Sequence, residues 1–324
     1  MGHPMKNIKK ERIVIFIIIS GFILGSCASS EGAISAEEYY SLGVAYMDLG
    51  KYDEAEKWFK RAQRLDKTKA ASEYNLGRIA FETGRYEESA LLFEDILKQD
   101  PENTLALKAA AYARIKNGDM ELAENHYNRL LELVPESIDN GYNYALVLFA
   151  MGKNEKAGNI ISKYAFALQE NDDLLLLYAR IQKAEGKIEA VDSYDLWLSK
   201  KSDPQVRFEY AETLENVQLY AKALENYREV LNGDLSKTPA LRKNIIRFRI
   251  ARVLLVADPT SGDGIQELKG AVTDGFNDKD AVNDLINMEG IPAETRKEIK
   301  NILDSIPDKK EEPGTLNGDT APAV

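Results

Sequence analysis

Residues 39–62 read YYSLGVAYMDLGKYDEAEKWFKRA, and residues 73–96 read EYNLGRIAFETGRYEESALLFEDI. Laid over one another at an offset of 34, the two stretches repeat. Leu42-Gly43 returns as Leu76-Gly77, Gly50 as Gly84 and Gly118, Tyr52 as Tyr86, and Phe59 as Phe93 and Tyr127. Pro101 and Pro135 close two successive units. A fixed period of this length marks a stacked array of helix–turn–helix units. The small residue in the middle of one helix lets its partner approach closely, and the aromatic fills the space above. Each helix is only about 13 residues long and marginal by itself in water, so stacking supplies most of the stability.

The set Tyr39, Leu42, Gly43, Tyr46, Gly50, Tyr52, Ala55, Phe59, Ala62 resembles the tetratricopeptide repeat (TPR) family. The resemblance implies an all-α helix-turn-helix solenoid, coiled as a right-handed superhelix, whose first helices line a concave groove that binds other proteins. Six TPR-like repeats follow over 36–237. Unit one opens on Ser35 with Glu38 three residues on, the spacing of a capping box. The fourth unit keeps Ala145, Gly152, Ala157 and Ile161, a weaker match. The fifth keeps Ala179 and Gly186 and then drifts, with Asp195 where an aromatic is expected. The sixth recovers with Tyr210-Ala211, Leu214, Tyr220, Ala223 and Tyr227, but Gln218 stands at the turn glycine. Residues 238–305 read as a divergent repeat and capping helices, which cover the open end of such a core. Residues 306–324 are rich in Pro, Gly and charge and are expected to be disordered.

The N-terminus carries a different signal. Lys6 to Arg12 is basic, Ile13 to Leu24 is a 12-residue apolar segment, and Leu24-Gly25-Ser26-Cys27 follows. That segment is short for a membrane span, which needs about 20 residues. Basic start, apolar core and small residues before a cleavage point form a secretory signal. The four-residue end looks like a bacterial lipobox, which implies that 1–26 is a lipoprotein signal peptide and that Cys27 is lipidated. Myristoylation at Gly2 fits less well, because Lys6 stands where the motif wants Ser or Thr. Either Met1 or Met5 serves as the start. Residues 27–35 then form a flexible tether. Ala28 after the cysteine, rather than Asp, points to the outer membrane by the enterobacterial rule. Together these imply a cell-envelope protein facing the periplasm.

Composition narrows the partners. Net charge is −11, and because the first 26 residues are basic the remainder is more acidic still. That balance argues against nucleic acid and against flat adsorption to anionic lipid headgroups. The single cysteine excludes an internal disulfide. No Gly-rich phosphate loop is present, no cofactor is implied, and His126 has no accompanying Cys, His or carboxylate cluster for a metal or a catalytic base. The acidic stretch 274–284 lacks the spacing of a calcium loop. An enzyme is not expected.

The groove is where a site belongs. Carrying the register along the first helices gives Tyr40, Tyr74, Lys108, Tyr142, Leu176, Phe208 and Phe248 as the inward position. Asn75 and Asn143 follow, then Arg78, with Phe81 and Phe149 further along. Rings pack on side chains and amides pair with peptide groups, so this set suits an extended polypeptide. The alternative is that the rings only pack between helices. A carboxylate clamp of the kind some family members carry is not expected, since Tyr40, Val44, Leu105 and Ala109 do not supply it and only Asn75 matches. Two rivals remain for function. A small-ligand carrier predicts a closed apolar channel. A structural homo-oligomer predicts an exposed apolar patch on the last two helices, at Val282, Leu285, Ile286, Ile299, Ile302 and Leu303, but the i, i+3, i+4 spacing of both triplets is that of an ordinary buried face and favours a plain capping core.

Overall fold

In the computed structural model, residues 34–236 and 238–307 are described, and every regular element among them is helical. The signal segment, Cys27 and most of the C-terminal tail lie outside that range. The chain divides into two compact units at residues 92 and 93.

The first unit holds α1 (Ala36–Asp48), α2 (Tyr52–Gln63), α3 (Lys69–Glu82) and the start of α4 (Tyr86–Gln99). The Ser35 hydroxyl accepts from the Glu38 amide, and the Glu38 carboxylate accepts from the Ser35 amide at 2.8 Å, so the expected capping box is present. Gly43 and Phe59 explain the close pairing of α1 and α2: a Cβ on Gly43 would sit 2.7 Å from the Phe59 ring. Ala55, Phe59, Leu76 and Ile79 form the core.

The second unit continues with pairs α5 (Thr104–Asn117) and α6 (Met120–Leu133), α7 (Ile138–Ala150) and α8 (Asn154–Ser162), α9 (Asp172–Ala184) and α10 (Ala190–Lys200), α11 (Pro204–Asn216) and α12 (Tyr220–Asn232). After these come α13 (Lys243–Ala257), α14 (Gly262–Thr273), α15 (Lys279–Asn287) and α16 (Ala293–Ser305). First helices are capped with the same period as the turns. The side chains of Asn103, Ser137, Asn171 and Asp203 each accept from the amide three residues on. Each such bond satisfies one of the orphan donors at a helix start.

Two aromatic positions differ from the sequence expectation. In the fourth unit α8 is cut short and runs into a 3₁₀ turn, Ala165–Ala167. Tyr164 at that turn is fully buried and lies where a Cβ on Gly141 would come within 2.1 Å of its ring. In the fifth unit Tyr194, not Asp195, is buried in the core. The rings keep their packing role while their positions in the chain move.

The six C-terminal apolar residues form the capping core that their spacing favours. Val282, Leu285, Ile299 and Ile302 are buried, and Ile286 and Leu303 pack against them. They are the core of the capping helices, not an exposed patch.

The turn glycines Gly50, Gly84, Gly118, Gly152 and Gly186 all have positive φ, and Gln218 adopts φ +62° in the same place. A left-handed conformation costs a non-glycine residue about 1–2 kcal/mol. Gln218→Gly is therefore expected to stabilise the second unit by about 1 kcal/mol, after allowing for the freer unfolded chain. A higher urea midpoint checks it, and an unchanged or lower midpoint contradicts it.

Candidate functional site

In the first unit the expected residues lie together. Tyr74, Arg78 and Phe81 fall at i, i+4 and i+7 on α3, one stripe of a helix. Asn75 is buried and already engaged: its amide nitrogen donates to the Tyr40 hydroxyl at 3.1 Å and to the Ala71 carbonyl at 3.0 Å, and its carbonyl accepts from Arg78 at 3.2 Å. With both N–H donors used, Asn75 acts as a strut that orients Tyr40 and Arg78. Tyr40 also packs edge-on to Phe59, and Phe81 edge-on to Tyr86. Tyr74, Tyr40 and Phe81 are half-buried, and Arg78 is exposed. Burial raises the Tyr74 hydroxyl above its ordinary pKa, partly countered by Arg78.

In the second unit the expected residues separate into two groups. Lys108 is exposed, and Tyr142, Asn143 and Phe149 are half-buried on α5 and α7. Tyr142 and Phe149 are seven residues apart on one face of α7. Phe208 and Phe248 are each only 7% exposed. Phe208 packs edge-on to Tyr227, and Phe248 stacks on Phe276 at 4.2 Å, which leaves little of either ring for a ligand. Leu176 packs against the core.

What replaces those rings is charge. Across α9, α11 and α13 runs a ladder of ion pairs. Arg180 grips Glu209 with two nitrogens, at 2.8 and 3.1 Å. Lys183 and Arg249 both bond Glu212, at 2.6 and 2.7 Å. Arg252 reaches Glu215 at 3.2 Å, and the Tyr227 hydroxyl donates to Glu215 at 2.7 Å. A cavity of about 420 Å³ opens on this face, lined by Phe149, Arg180, Lys183, Tyr194 and Glu209. A second, of about 460 Å³, is lined by Phe248, Arg249, Arg252, Phe276, Asp284 and Met288. The first combines the half-buried Phe149 ring with several charges, so it can hold an apolar side chain and pair a charged one.

Sequence reasoning passed over this ladder, although Glu209, Glu212 and Glu215 stand at i, i+3 and i+6 of one helix. It also passed over Tyr112, an exposed ring in register with Arg78 and Arg180.

A second charge cluster is structural. Arg114 on α5 is buried and holds Glu94 through two bonds of 2.8 Å, and Asp119 at 2.9 Å. His126 Nε2 lies 3.1 Å from Glu94, which gives this histidine a partner within the stack. Burial by itself would raise the Glu94 pKa, but the bonds from Arg114 and His126 outweigh it and hold the carboxyl below its ordinary 4.5. Among the described residues no group of carboxylates, His or Cys could hold a metal ion, and no helix is long and apolar enough to cross a membrane.

Comparison with known proteins agrees with the repeat geometry. Family profiles described as tetratricopeptide repeat match residues 36–69 and 74–138. An uncharacterized lipoprotein of Treponema pallidum is 26% identical over 165 residues, 51% of this chain and 84% of that protein. Human protein O-mannosyl-transferase TMTC3 is 28% identical over 122 residues, which is 37% of this chain but 13% of that protein. Among solved structures, a tetratricopeptide repeat protein from Parabacteroides merdae superposes with a TM-score of 0.54 at 20% identity, covering 79% of this chain and 98% of that one. The C-terminal part of a TPR repeat-containing protein from Cytophaga hutchinsonii gives 0.54 at 13% identity, covering 74% and 96%. These structures share the helical solenoid fold.

Proposed function

We propose, from the premise that residues 36–69 and 74–138 are tetratricopeptide repeats, that this chain is a lipid-anchored adaptor of the bacterial envelope. Repeats of this kind serve protein–protein interaction. In this reading, cleavage after residue 26 exposes Cys27 for acylation, and the helical units face the periplasm, at the outer membrane. The first-helix faces then hold a partner polypeptide, as part of envelope assembly. The Treponema relative, itself described as a lipoprotein, supports the anchor.

The observation that carries the partner reading is the face around Tyr142. Its hydroxyl and the Asn143 amide make no side-chain hydrogen bond among the described residues, and both lie on the helix that leads to Phe149 and the 420 Å³ cavity. A half-buried ring, an unbonded amide and a charged cavity in line fit an extended chain with mixed side chains. The carrier reading is less well supported, because Arg180, Lys183 and Glu209 line that cavity where a small apolar ligand would want none.

The test is affinity capture from detergent-solubilised native membranes, comparing wild type with a Tyr142→Ala, Phe149→Ala variant of matched circular dichroism. A polypeptide lost only in the variant supports the reading, and identical partners with both overturn it. Release of a Cys27→Ser variant into the soluble fraction tests the anchor separately.

A further inference from the structure

In a helical array the flank of each pair is covered by the next, and an end pair is expected to turn a polar flank outward. The first described pair does not. Tyr39, Leu42, Tyr46 and Leu49 fall at i, i+3, i+7 and i+10 along α1 and the turn after it, on a different stripe from Gly43 and Met47. Leu42, Leu49 and Leu65 are 37%, 68% and 40% exposed. Trp58 of α2 stacks between Tyr39 and Tyr46, at 5.9 and 6.5 Å, and is itself half-buried. The Arg61 guanidinium lies over the Trp58 ring at 4.6 Å.

We propose that this flank, built by Tyr39, Leu42, Tyr46, Leu49, Trp58 and Leu65, lies on the headgroup layer of an anionic phospholipid bilayer. The inference rests on the reading of Cys27 as the lipid-anchored residue. Three observations select a membrane over another occupant. First, Trp and Tyr with an Arg beside aliphatic side chains is the residue set that settles at a membrane–water interface. Second, although the chain as a whole is acidic and the pair 36–69 carries seven acids to seven cations, five of those cations, Lys57, Lys60, Arg61, Arg64 and Lys67, are gathered within residues 57–67 beside one acid, Asp66. Lys57, Lys60 and Lys67 are paired with Glu54, Glu56 and Glu37, but each of the three lysines is solvent-exposed and free to exchange its carboxylate for a phosphate. Third, only residues 28–33 separate Cys27 from Ile34, the first described residue, a reach of about 25 Å when fully extended. An anchor at Cys27 holds this flank against the surface and makes its contact intramolecular.

The experiment couples the chain from Cys27 onward, through its single thiol, to a maleimide phospholipid in vesicles of phosphatidylcholine and phosphatidylglycerol. The tether is thereby installed however a cell treats Cys27. Brominated phosphatidylcholine in the vesicles quenches tryptophan at the interface. The Trp58 signal is the part of the emission lost in Trp58→Phe, the remainder coming from the buried Trp197. The expected result is a blue shift and loss of most of the Trp58 signal, weaker without phosphatidylglycerol. Leu42→Ser with Leu65→Ser, at unchanged circular dichroism, is expected to restore it. An unquenched Trp58 on vesicles that carry the coupled chain overturns the proposal. So does a dimer in sedimentation that Trp58→Ala dissociates, which would assign the flank to a second copy. The mass of the chain purified from native membranes reports acylation at Cys27, so failure of the anchor and failure of the flank read out separately.

Discussion

Gly141→Ala is expected to lower the unfolding free energy by about 3 kcal/mol, opposite to what helix propensity predicts. Alanine is favoured over glycine inside a helix by about 1 kcal/mol. At this position the added Cβ would lie 2.1 Å from a Tyr164 ring carbon, and 2.8 Å from its hydroxyl. Tyr164 cannot swing away cheaply, because it is fully buried and its hydroxyl donates to the Pro135 carbonyl at 2.8 Å. Overpacking costs about 1–3 kcal/mol, and the lost hydrogen bond adds about 1. Removing the obstacle tests the cause. Gly141→Ala in a Tyr164→Leu background is expected to cost about 2 kcal/mol less than in the wild type. Equal costs in both backgrounds would mean that the ring is not what Gly141 accommodates.

Arg114→Ala is expected to cost about 3 kcal/mol, at the low end of the 3–5 for breaking a buried pair, since Glu94 keeps some contact with water. The loss comes from leaving Glu94 and its neighbours without their cation. It also predicts a pH dependence with a definite sign. The folded chain holds the Glu94 carboxyl below 4.5, so its stabilisation is fully present above that value and is lost as pH falls through the lower folded value. The gap between wild type and Arg114→Ala should therefore be widest above pH 4.5 and narrow in acid. Urea midpoints from neutral to acid pH measure it. A gap that stays constant would assign the cost to lost packing of the arginine stem. Glu94→Gln combined with Arg114→Met is expected to recover part of the stability, since neutral groups of similar size leave no unpaired charge.

The architecture was legible because its causes are local and periodic. A glycine at positive φ and a small residue beneath a ring leave marks 34 residues apart that no other fold class needs. The marks blurred where the backbone changed length. The short α8 and its 3₁₀ turn moved the filling ring from the position of Ile161 to Tyr164, and a fifth unit two residues short moved it to Tyr194. A register carried forward by counting cannot see such shifts, whereas packing needs only that some ring fill the gap.

The site was less legible, for a different reason. Whether a ring faces a ligand or a neighbour depends on partners far along the chain. Phe208 and Phe248 stand at the same register as Tyr74 and Tyr142, yet Tyr227 and Phe276 cover them. Asn75 and Asn143 look alike in sequence, but one is fully bonded and the other makes no side-chain bond. The ladder from Arg180 to Arg252 joins residues 29 to 37 apart, and each of its charges alone reads as ordinary solvated helix surface. The cavity chemistry is thus a property of stacked helices, visible only once the stack is built.

Photo-cross-linking in the native host tests the central claim, that the first-helix face carries the partner, most directly. Benzoyl-phenylalanine is placed at Lys108 or Tyr142 on that face, and at the exposed Leu122 or Leu196 on second helices. The account predicts one adduct of the same mass from both first-helix positions and none from the second-helix positions. Adducts confined to Leu122 and Leu196, or equal from all four, would contradict it.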